Sequence, residues 1–81
     1  MVVGKVTHED VDRVIMEIED GLLPIVERLN AEDYTNMKRS LEQAKDHTLP
    51  ILTRLSLVEM ALRAAAHALG VDFNELWGMY Y

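Results

Sequence analysis

Three histidines, His8, His47 and His67, are the side chains best suited to hold a metal or move a proton near neutral pH. Their spacing suits neither task. No pair stands in the His-x-x-x-His or Glu-x-x-His arrangement that sets two ligands on one helical face, so no zinc or di-iron centre is expected. The absence of cysteine rules out thiolate sites and disulfides. Ser40 and Ser56 fall inside helical segments, without an elbow motif or an evident base. The four glycines form no phosphate-binding loop. The carboxylates are dispersed over positions that face solvent in the helical reading below, where burial cannot raise a pKa. The expectation is a chain with no catalytic residue, no metal and no cofactor, and therefore not an enzyme.

Charge is the next guide to partners. The net charge of the 81 residues is −6. Residues 8–33 hold nine acids against Arg13 and Arg28, a net of −7. Residues 34–69 hold Glu42, Asp46 and Glu59 against five bases, a net of +2. A basic stripe that could track a phosphate backbone is missing, so nucleic acid is not an expected partner. The acidic segment reads as a solvated face, or as a docking surface for a basic protein through Glu9, Glu17, Asp20 and Glu27. The opening residues MVVGKVTHED resemble no signal peptide, and Glu59 and Arg63 interrupt the longest stretch poor in charge. A cytoplasmic protein without a membrane span is expected.

Helices must position these groups, because the apolar residues recur at helical spacing. Val11, Ile15, Ile18, Leu22, Ile25 and Leu29 step by 4, 3, 4, 3, 4 along one face. Thr7-His-Glu-Asp10 supplies a capping-box start with acids in the first turn. Asn30 and Ala31-Glu32-Asp33 form a turn and restart. A second seam runs through Tyr34, Met37, Leu41, Ala44, Thr48, Ile51, Leu55, Val58, Leu62, Ala65 and Leu69, with Thr48 its one polar member. Laid 26 residues apart, Asp20–Leu29 and Asp46–Leu55 share six of ten residues, including Pro24/Pro50 and Arg28/Arg54. Such a repeat suits a pseudo-symmetric bundle. Pro24 is expected to kink a continuing helix without disturbing its apolar phase. At Pro50 a break is expected, with Thr48 as N-cap and the proline in the first turn. The segments then number about 22, 16 and 21 residues and close up-down-up.

The C-terminal segment is locally explicit. Gly70 follows Ala68-Leu69 at a helix end, and Asp72-Phe-Asn-Glu75 is a second capping-box start. Phe73, Leu76, Trp77 and Tyr80 then fall at i, i+3, i+4 and i+7 on one face of a short helix. Two turns are unstable alone, so this face must dock on its own core or on a partner.

Residues 61–77, ALRAAAHALGVDFNELW, resemble the last two helices of the Cro/phage-repressor helix-turn-helix family, whose pattern there is similar to AKALGVSLDELL. The resemblance covers about a fifth of the chain and implies a DNA-binding regulator. The family's recognition region falls upstream, where this chain reads Asp46-His-Thr-Leu-Pro-Ile-Leu-Thr-Arg54, with a proline and few bases. No DNA-contacting residue is carried over. The expected protein is a single all-α domain over residues 1–81: three long proline-kinked helices and a short aromatic one. Its expected role is that of a small acidic regulator or adaptor that binds protein and forms a homodimer, with the helix-turn-helix regulator as the alternative.

Overall fold

The computed structural model describes residues 6–80. They are all-helical: α1 (His8–Gly21), α2 (Leu23–Leu29), α3 (Ala31–Ala44), α4 (Ile51–Leu69) and α5 (Phe73–Tyr80). Local chemistry fixes most of these bounds. Thr7 and Asp10 close a reciprocal capping box, each side chain accepting from the other's backbone N–H, at 3.0 and 3.2 Å. That bond to the Thr7 N–H, above all, lowers the Asp10 pKa. The Asn30 side chain caps α3 by accepting from the Asp33 N–H at 3.1 Å. Gly70 ends α4 in the left-handed region at φ 70°, where a Cβ is penalised, and the Val71 N–H returns to the Ala66 carbonyl in a Schellman closure.

The two prolines act differently. Pro24 lies in the first turn of α2, where its missing N–H costs little. Leu22 alone separates α1 from α2, and its dihedrals are helical. Its N–H donates to the Ile18 carbonyl at 2.9 Å, and its own carbonyl accepts from Val26 at 3.0 Å. Pro50 stands immediately before α4 as its N-cap, with extended backbone and no side-chain cap. Thr48, expected in that role, is instead turned onto Asp46: its N–H and hydroxyl both donate to Asp46 Oδ1, at 2.9 and 2.6 Å. An Asx turn has taken the hydroxyl a helix cap would have used.

The core is assembled around α4, which contacts every other helix, most extensively α3. Val11, Val14, Ile15, Ile18, Leu22, Val26, Met37, Leu41, Ala44, Val58, Ala61, Leu62, Ala65, Ala66 and Leu76 are all buried. The first seam holds only as far as Leu22. Beyond it Val26 is buried, whereas Ile25 and Leu29 are about half exposed, at 47% and 56%. The apolar phase therefore slips by one residue across Pro24, contrary to expectation. The lost helical bond frees the backbone to turn, and the adjacent Ile25-Val26 offers two registers of similar hydrophobicity. Thr48 leaves the second seam as well and is exposed. The accessible surface of 5068 Å² is close to the ~5,000 Å² of a compact monomer of this mass.

Candidate functional site

The two groups of residues selected from sequence for interaction have different fates. The aromatic face is turned inward. Leu76 is 4% exposed, and Phe73, Trp77 and Tyr80 are half-buried against the core cluster. The Phe73 and Trp77 rings meet at 5.6 Å, and the Arg63 guanidinium lies 4.2 Å from the Phe73 centroid. The Tyr80 hydroxyl lies 4.0 Å from where a Cβ on Gly21 of α1 would stand, and burial, with Glu17 nearby, raises its pKa. The face thus ties the chain's end to α4 and α1. The helix that carries it has no Lys or Arg.

Glu9, Glu17, Asp20 and Glu27 are all exposed. Among the described residues none of the four has an ion-pair partner, although neighbouring acids on α1 do. Asp10 holds Arg13 at 3.1 Å, and Glu19 holds Lys45 at 2.8 Å. Lys45 also reaches Glu42 at 3.1 Å, and these carboxylates, Glu19 first, raise its pKa. At 100° per residue, Glu9, Glu17 and Asp20 fall within about 80° of one another, over about 16 Å of α1. Met16, 60% exposed, lies along the same strip.

A cluster missed by the sequence reading lies beside that strip. Arg54 is completely buried. Its Nε donates to the Ala44 carbonyl at 2.7 Å, where α3 ends and its dipole favours a cation. Its Nη1 donates to His8 Nδ1 at 2.8 Å, and its Nη2 to Asp12. His47 Nε2 completes the group, 2.9 Å from the other Asp12 oxygen, with its ring stacked on that of His8 at 5.8 Å. The Arg54 hydrogen bond holds the Asp12 pKa below its ordinary value. His8 and His47, 39 residues apart in sequence, are therefore parts of one network joining α1, α3 and α4, with His47 still exposed. The periodicity contained a signal: Arg54 stands one turn before Val58 on the buried stripe that continues through Ala61, Leu62 and Ala65. Its repeat counterpart Arg28 is exposed at the end of α2.

Against this cluster lies a groove of about 240 Å³, lined by Asp12, Ile15, Met16, Glu19, Lys45 and His47. Ile15 and Met16 supply its apolar surface, and its charged rim is already paired within the chain. Among the described residues no three His, Cys, Asp or Glu side chains gather as a metal site requires, and no helix is long and apolar enough to cross a membrane.

Comparison with protein-family models, curated proteins and solved structures finds no match.

One carboxylate departs from the solvent-facing pattern. Asp33 is 8% exposed and pairs with His67 Nδ1 at 2.7 Å, joining the start of α3 to the end of α4. That hydrogen bond, with the Asp33 charge, raises the His67 pKa above 6.5. A raised pKa in the folded state stabilises in acid, fully below about pH 6.5, and the contribution is lost as pH rises through the folded value. His67→Gln is therefore expected to melt lower than wild type at pH 5.5 and alike at pH 9. Thermal denaturation across that range checks it, and a gap that widens toward alkaline pH would contradict the pairing.

Proposed function

We propose that this chain is a non-enzymatic protein-interaction module, a small self-associating acidic regulator or adaptor that presents the outer face of α1 and α2 to a basic protein partner. The observation that carries this reading is the contrast among the acids of α1 and α2. Asp10, Asp12 and Glu19 are used within the fold, while Glu9, Glu17, Asp20 and Glu27 are exposed and have no ion-pair partner among the described residues. Unpaired surface carboxylates along one strip raise the local concentration of a cationic partner and speed its association. In this reading α1 and α2 work as one rod bent at Pro24, within a bundle of three long helices and the short α5.

The aromatic face serves this role indirectly, by holding α5 on the scaffold that carries the strip. Self-association belongs elsewhere on the molecule, since two copies of the strip would repel each other. Leu52 and Met60, 76% and 56% exposed on α4, are the large apolar side chains available there.

Two measurements test the proposal. A protein retained from the native host by wild-type chain, and lost by Glu17→Lys/Asp20→Lys at unchanged melting temperature, supports the acidic face. Equal recovery by both forms overturns it. Sedimentation at about 100 µM is expected to give twice the 9.3 kDa chain mass. A 9.3 kDa species alone removes the self-associating part.

A further inference from the structure

We infer that the groove beside Met16 is an anchor pocket for one large apolar side chain of a basic amphipathic segment, which lies along the acidic strip of α1. This inference rests on the proposed docking role of that strip and names the chemistry of its partner.

Size argues first. At about 240 Å³ the groove falls below the roughly 300–1,000 Å³ typical of small-molecule sites, but it has room for a single large side chain. Its accessible apolar surface comes from Met16, which is 60% exposed, the other apolar lining residue, Ile15, being only 2% exposed. Methionine is the side chain best able to reshape itself around an entering group.

Charge argues second. Asp12, Glu19, Lys45 and His47 on the rim are all engaged, so an uncharged side chain can enter without stranding a partner of its own. Immediately around the helix from Met16 the surface changes to the exposed Glu9, Glu17 and Asp20, which have no ion-pair partner among the described residues. A helical segment with an apolar anchor on one face and Lys or Arg beside it matches both halves at once. A second copy of this chain is the poorer match, because it carries a net charge of −6. A polyanion such as duplex DNA matches neither.

The test uses full-length protein and two fluorescein-labelled peptides of about 18 leucine and lysine residues, some 27 Å when helical. One places leucines at i, i+3, i+4 and i+7. The other has the same composition in scrambled order. Wild type is expected to bind the patterned peptide about tenfold or more tightly than the scrambled one, the scale of a filled apolar pocket. Met16→Gln, an exposed and charge-neutral change, is expected to erase that preference while the salt dependence of binding stays. Glu17→Lys/Asp20→Lys is expected to weaken both peptides and flatten the salt dependence.

Equal affinity of wild type for the two peptides overturns the anchor pocket, and so does a preference that survives Met16→Gln. In either case the acidic docking face still stands if charge reversal weakens binding. If charge reversal changes nothing, the docking face falls and the pocket with it. Dissociation of a homodimer by the patterned peptide would assign the groove to a second copy, which also overturns the inference.

Discussion

Arg54→Ala is expected to destabilise the protein by about 3 kcal/mol or more, the cost of breaking a buried pair and leaving its partners unsatisfied. The guanidinium is completely buried and serves three acceptors on two helices: the last carbonyl of α3, His8 at the start of α1, and Asp12 one turn later. Asp12 is itself 37% exposed in its side chain and can turn to water, which holds the figure toward the low end. A domain of this size has roughly 5–10 kcal/mol in all, so a third or more of its stability is at stake. Arg54→Lys tests the geometry separately from the charge. A single ammonium cannot copy a planar fork directed at three acceptors, and about half the loss should remain. Urea denaturation at pH 7 reads both variants. A loss below about 1 kcal/mol for Arg54→Ala would show that water serves those acceptors as well as the guanidinium does.

Leu76→Ala is expected to cost about 3 kcal/mol, within the range for truncating a buried leucine. Leu76 is the buried member of the α5 face, at 4% exposed, and α5 is only eight residues long. A helix of two turns has no independent stability, so losing its central contact should release it. Two signals should therefore move together: a lower melting temperature, and a red-shifted, quencher-accessible emission from Trp77, the only tryptophan. A fall in stability with unchanged emission would mean that Phe73, Trp77 and Tyr80 hold α5 without Leu76. Unchanged stability would contradict the docking of α5 on the core.

What could be read from the sequence, and what could not, follows the range of the interactions involved. The α5 helix, the Gly70 ending, the Thr7 capping box and the break before Pro50 rest on contacts within a few residues, and each was legible. The exposure of Glu9, Glu17, Asp20 and Glu27 was legible as well, since each lies off the apolar phase of α1 and α2. The slip from Ile25 to Val26 was not, because adjacent β-branched residues satisfy two registers and only tertiary packing chooses between them. The Arg54 network spans up to 46 residues, and Asp33 meets His67 across 34. Neither pairing has a local signature. The repeat was misleading here, since it equates an exposed Arg28 with a buried Arg54. Two decapeptides alike at six of ten positions meet different surroundings once one proline opens α2 directly behind α1 and the other ends a six-residue connection.

The central claim is that α1 and α2, rather than the aromatic α5, present the binding surface. Titrating ¹⁵N-labelled protein with the patterned leucine–lysine peptide and mapping the shifted amides tests it most directly. The account predicts that the perturbed residues gather on Glu9, Asp12, Met16, Glu17, Asp20 and Glu27, with Lys45 and His47 across the groove, while Phe73–Tyr80 stay in place. Shifts concentrated on Phe73–Tyr80, with α1 and α2 silent, would contradict it.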